Sequence, residues 1–100
     1  VTDEIKLSKD AQRGARAKDL LENDLIHEAF AALEQAYIKA WRLTTIEDVT
    51  GREKLFLAIN VVGKVRDHLN SVMTDGTLAT EELRRLAETA ERARRWEDIR

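Results

Sequence analysis

One hundred residues and 11.4 kDa make one domain and leave no room for a catalytic domain beside a binding domain. Lysine and arginine number 17 against 19 aspartates and glutamates, and a net charge of -2 argues against wholesale wrapping by nucleic acid, leaving only local basic faces. Cysteine is absent, so neither a disulfide framework nor a thiolate metal site is available, and no apolar run approaches the ~18 residues of a membrane span.

The opening Val1-Thr-Asp-Glu4 has neither the charge nor the apolar stretch of a signal peptide, so the expected product is soluble and cytoplasmic. Residues 1–8 read as frayed, with Ser8 or Asp10 capping a first helix over about 9–43. Within it Ile26, Ala29, Phe30, Leu33, Ala36, Tyr37, Ala40 and Trp41 recur at three- and four-residue steps, which places them on one stripe. Gly14 and the Asn23-Asp24 pair are its weak points, where the N-terminal part would bend away.

Between Leu43 and Gly51 the chain is β-branched and polar, which ends the first helix. Thr50 followed by Glu53 has the spacing of a capping box for a second helix over about 51–73. Its apolar side carries Leu55, Ala58, Ile59, Val62, Val65, Leu69 and Val72. Gly63 in its interior would mark a close backbone approach, since a mid-helix glycine otherwise costs about 1 kcal/mol. Thr74-Asp75-Gly76-Thr77 reads as a breaker, and Thr80 as the cap of a third helix over about 80–97. That helix has a narrow stripe of Leu83, Leu86, Ala87, Ala90 and Ala93, with glutamate four residues ahead of arginine at Glu81/Arg85, Glu88/Arg92 and Glu91/Arg95. The expected fold is a single all-α domain: an antiparallel helical hairpin with a third C-terminal helix, forming a helical bundle.

Nothing in the chain resembles a reaction centre. The four glycines are scattered and form no phosphate loop, and Ser8 and Ser71 stand in no nucleophile setting. His27 and His68 would fall at similar levels of an antiparallel hairpin, but two ligands of uncertain facing do not make a coordination sphere. The reading is therefore no enzyme, no cofactor and no metal. Lys9, Arg13, Arg16 and Lys18 form a basic cluster that serves either as a phosphate contact to DNA or as an ordinary solvated helix start. A second basic region, Arg84, Arg85, Arg92, Arg94 and Arg95, is blunted by Glu81, Glu82, Glu88 and Glu91.

The stripes are broad for a two-helix hairpin, and Leu57, Val61 and Met73 lie off the main one. Either a third helix covers them or identical copies do, with Ile26, Phe30, Leu33, Tyr37, Trp41, Leu55, Ile59, Val62 and Leu69 as core or oligomer interface. Three segments, Ala29-Phe-Ala-Ala-Leu-Glu-Gln-Ala-Tyr-Ile-Lys-Ala-Trp41, Gly51-Arg-Glu-Lys-Leu-Phe56 and Val62-Gly-Lys-Val-Arg-Asp-His-Leu69, account for 27 of the 100 residues. Through them it resembles small all-helical proteins of bacteriophage and prophage genomes, and in architecture the oligomerisation core of phage terminase small subunits. The helix-turn-helix usual in that family has no counterpart in residues 1–19.

The resemblance implies a non-enzymatic homo-oligomer that acts as a DNA-packaging or virion-assembly adaptor in the bacterial host cell or on the virion. Its partners would be itself, a packaging motor subunit or another phage protein, and DNA bound without sequence preference, with no membrane involved. The alternative is a small helical phage or bacterial protein that binds and regulates one host protein.

Overall fold

The computed structural model describes residues 2–99, and all regular structure among them is helical: α1 (Thr2–Glu22), α2 (Asp24–Arg42) and α3 (Val49–Ile99). Two compact units divide the chain. One takes in the residues up to Lys18 and those from Ser71 onward; the other spans Asp19–Asn70.

In the unit of residues 19–70, α2 lies antiparallel to the first part of α3. Arg52 stacks on the Trp41 ring 5.9 Å from its centroid, while fourteen residues further along α3 the Arg66 guanidinium sits 5.6 Å from the Phe30 ring and 3.3 Å from the Glu34 carboxylate. Ile26, Phe30 and Tyr37 of α2 and Leu55, Ile59 and Leu69 of α3 are half-buried, and Val62 is buried. Part of the predicted stripe, Ile26, Phe30 and Tyr37, thus joins α2 to α3 within one chain, while Ala29, Leu33 and Ala36 stay exposed. Asn23 sets the start of α2. Its backbone is extended (φ -72°, ψ 119°), and its side-chain oxygen accepts the Ile26 amide at 3.0 Å. The long helix expected over 9–43 is therefore two helices, because an asparagine side chain offers a backbone donor an alternative to the helical bond.

Past Leu43, Thr44 Oγ1 donates to the Trp41 carbonyl, and Asp48 Oδ1 accepts the Gly51 amide at 3.0 Å. Asp48, two residues ahead of Thr50, is the side chain that caps α3. The Thr50–Glu53 box is not used, since a carboxylate beside free amides and the positive helix end is the stronger acceptor.

In the other unit, α1 pairs with the later part of α3. The segment expected to fray is helical from Thr2, with Asp3 and Glu4 in the first turn where the helix dipole favours them, and Leu7 half-buried. Ser8 and Asp10 are interior to it and cap nothing. Leu7, Ala11, Gly14 and Ala17 recur at three- and four-residue steps and carry the burial of α1, with Gly14 and Ala17 buried. Gly14 and Gly76 meet here. A Cβ on Gly76 would lie 2.5 Å from the Gly14 Cα and 2.9 Å from the Asp10 carbonyl oxygen.

This contact explains why no break occurs at residues 74–79. Gly76 is helical with no positive φ, and it serves close approach rather than a turn. Thr77 Oγ1 and Thr80 Oγ1 donate to the Met73 and Gly76 carbonyls four residues back, so both hydroxyls are satisfied inside a continuous helix and Thr80 caps nothing. The separate helix expected over 80–97 is the end of α3. Gly63 is the reverse case: a Cβ there would meet nothing within 4 Å, so it marks no helix crossing.

Candidate interaction surface

The described residues offer surfaces rather than a cleft with convergent polar groups. Lys9, Arg13 and Arg16 are exposed, and at about 100° per residue they share one side of α1. Lys18 falls about 180° away from Lys9 and lines a shallow groove with Gly14 and Gly76, so the basic cluster is three residues on one face and one on another. Arg13 borders Asp10 and Asp75, whose carboxylates reduce the local positive field.

At the far end of α3, residues 84–97 are exposed throughout. Arg84 bridges Glu81 and Glu88, Arg85 pairs with Glu82 at 3.1 Å, and Arg95 pairs with Glu91 at 3.6 Å. One of the three expected i,i+4 pairs forms; elsewhere three-residue spacing or a shared arginine wins. The hydrogen bond from Arg84 and its charge hold the Glu81 carboxyl below the usual carboxylate range, and Glu81 in turn raises the Arg84 guanidinium. Glutamates on the same helix thus offset the charges of Arg84, Arg85 and Arg95.

His27 and His68 are both exposed. Among the described residues no group of three or more histidine, aspartate or glutamate side chains gathers to hold a metal ion. No helix there is long and apolar enough to cross a membrane.

Beside the connector from α2 to α3, an open cavity of about 480 Å³ is lined by Trp41, Ile46, Val49, Phe56 and Leu57, with Arg52 and Glu53 at its rim. Leu43 and Ile46 are 75% and 81% exposed. Arg52 over the Trp41 face supplies a cation–π contact that holds the indole in place at one wall.

No protein family, curated protein or solved structure matches the chain. The reading of its surfaces therefore rests on their own chemistry.

The nine predicted core or interface residues all lie in the unit of residues 19–70. Most line the α2–α3 contact, and Leu33 and Trp41 remain partly open to water. Missing from that list are Ile46 and Val49 at the connector, two isolated β-branched residues in a polar stretch. Leu25, 72% exposed, and Leu43 also lie outside those nine residues. They sit four positions ahead of Ala29 and three past Ala40, a signal that a second seam beside the first would have revealed.

Proposed function

We propose that this chain is a non-enzymatic, self-associating adaptor of phage DNA packaging or virion assembly, similar in role to a terminase small subunit and working in the bacterial cytoplasm. The observation that carries the reading is the apolar surface that folding leaves in water. Among the described residues only Ala17, Val62 and Ala79 are buried apolar side chains, whereas Leu43, Ile46, Leu57 and Trp96 are each more than 60% exposed.

A pair of helices has no second layer to hide its flanks. Burying a leucine, isoleucine or phenylalanine is worth roughly 1.5–3 kcal/mol, so covering a few of these in another copy outweighs much of the cost of association. On this reading the antiparallel helical hairpin is the subunit, and the helical bundle is completed between copies. Repetition then multiplies weak contacts to a motor subunit or to DNA, as multivalent binding requires. Lys9, Arg13 and Arg16 supply the phosphate contacts, with Lys18 on the other side of α1.

Light scattering on a size-exclusion column tests the reading directly: a multiple of the chain mass is expected, and a single-chain mass at tens of micromolar defeats it. Replacing Lys9, Arg13 and Arg16 together by alanine should weaken DNA binding and reduce the slope of log K against log salt by about 0.9 per lost phosphate contact. An unchanged slope removes DNA from the list of partners.

The cavity beside the connector favours a second reading, in which a regulator of one host protein receives an apolar side chain between Trp41, Ile46 and Phe56. Pull-down from bacterial lysate separates the two. A regulator recovers one host protein at fixed ratio and loses it on Phe56→Glu, while an adaptor recovers the motor subunit or DNA.

A further inference from the structure

We infer that a second copy of this chain packs on one particular side of the unit of residues 19–70, against a charge-free seam of Leu25, Ala29, Leu33, Ala36, Ala40 and Leu43, through a two-fold antiparallel contact. This rests on the self-association proposed above, and it adds the place and the symmetry.

At about 100° per residue, Ile26, Glu34 and Tyr37 lie within about 40° of Phe30, which marks the direction from α2 towards α3. Viewed from the N-terminus of α2, the six seam residues lie about 60–140° anticlockwise of Phe30. On α3 the buried Val62 marks the inward direction, and Leu57, Val61 and Val65 lie about 60–140° anticlockwise when viewed from that helix's own N-terminus. Antiparallel helices are viewed from opposite ends, so the same sense of rotation on each reaches the same side of the pair. Glu34 and Arg66 bear this out: each lies about 40° clockwise of its inward direction, and they meet at 3.3 Å.

The anticlockwise side is thus a largely apolar face contributed by both helices, with His68 also on it, about 120° anticlockwise of Val62. Leu33 is 46% exposed, Val61 56% and Val65 45%. The clockwise side is more polar: it carries His27, Gln35, Arg42, Arg52, Asp67 and Asn70 together with the Glu34–Arg66 ion pair, with Ile38 and the 57% exposed Phe56 among them. Lys54 stands at the end of the apolar face and Lys64 at its margin, where long stems let the ammonium groups stay in water.

Its size fits a protein partner. Nineteen residues of α2 at 1.5 Å each make a face about 28 Å long, and two helices each about 10 Å wide make it about 20 Å across, roughly 550 Å². That is near the upper limit of what monomers leave exposed, and it approaches the ~800 Å² each side contributes to a stable interface.

The order of residues identifies the partner as another copy. Read in reverse about a point near Glu34, the seam nearly repeats itself: Leu25 falls beside Leu43 of the second copy, Ala29 beside its Ala40, and Leu33 beside its Ala36. Leucines meet at the two ends, alanines in between, and a large residue faces a small one at the centre. The alanines allow the axes to approach to about 8 Å, and no charge on the α2 seam loses its water. An isologous contact of this kind turns two helix pairs into a four-helix bundle and makes the dimer the building block of any larger assembly.

Two measurements test it. Ala36 is exposed in the single chain, so Ala36→Glu should keep its helicity by circular dichroism while its mass falls at least twofold; Gln35→Glu, on the solvated side, should keep the wild-type mass. A wild-type mass for Ala36→Glu overturns the seam and leaves self-association standing, whereas a single-chain mass for the wild type ends both. The chain has no cysteine, so Ala29→Cys and Ala40→Cys variants can be mixed and oxidised. Covalent dimers are expected in the mixture and not in either variant alone. A dimer formed by Ala29→Cys alone, or no dimer in the mixture, overturns the antiparallel two-fold contact.

Discussion

Gly63→Ala and Gly76→Ala are the same chemical change in the same helix, and they should move stability in opposite directions. Each gains up to about 1 kcal/mol of helix propensity. At Gly63 nothing lies within 4 Å of the new methyl, so the gain stands. At Gly76 the methyl would sit 2.5 Å from the Gly14 Cα, 2.9 Å from the Asp10 carbonyl oxygen and 3.1 Å from the Gly14 nitrogen, all backbone atoms with no rotamer to yield. Contact at about 3.5 Å requires α1 and α3 to separate by about 1 Å, and overpacking of this kind costs about 1–3 kcal/mol. Loss of contact along the small-residue stripe pushes the figure towards the upper end, so net destabilisation should be about 1–2 kcal/mol. Gly14→Ala meets Gly76 and the Val72 carbonyl and should behave the same way. Urea titration followed by circular dichroism, at one fixed protein concentration because self-association shifts apparent stability, should separate Gly63→Ala from Gly76→Ala by about 2–3 kcal/mol. If Gly76→Ala is as stable as the wild type, the glycine contact does not hold this unit together.

Asn23→Ala removes the acceptor of the Ile26 amide and should cost about 1 kcal/mol in the same titration; no loss would show that α2 needs no cap. Arg66→Ala removes the ion pair to Glu34, whose side chains are 34% exposed, together with the contact over Phe30. About 1 kcal/mol is expected, part of it disappearing at 1 M salt, and a loss insensitive to salt would assign the effect to packing. Glu81 titrates below its unfolded value because of Arg84. Its contribution is therefore complete above the ordinary carboxylate range and is lost as pH falls through the lowered pKa. Comparison of wild type and Glu81→Gln by circular dichroism during acidification should show less helix in the variant near neutral pH and no difference once Glu81 is protonated. A gap that persists in strong acid would contradict the charge argument.

The all-helical class and the apolar sides of α2 and α3 that carry Phe30 and Val62 were legible in the sequence, because apolar periodicity reports directly on which side of a helix is buried. The junctions were less so, for a reason that lies in the residues themselves. Gly76 suits a helix end and a helix crossing equally well, and the difference depends on whether Gly14, sixty-two positions away, is there to be met. Thr80 is likewise a cap when its hydroxyl faces forward and a back-bonded helix residue when it reaches the Gly76 carbonyl. Local composition cannot separate these outcomes; a tertiary contact does.

The same limit applies to the broad apolar stripe of α2. Ile26, Phe30 and Tyr37 form one seam, and Leu25, Ala29, Leu33 and Ala36 a second one about a quarter-turn away, but in sequence the two run together as a single wide pattern. Helix α3 occupies the first. The second is set apart by its alanines: a seam meant only to close a chain on itself has no need for small residues that face water, whereas one that receives another helix uses them for close approach. Helix α3 turns its own exposed apolar residues, Leu57, Val61 and Val65, to the same side, and that coincidence is hard to obtain from residues merely tolerated at a surface.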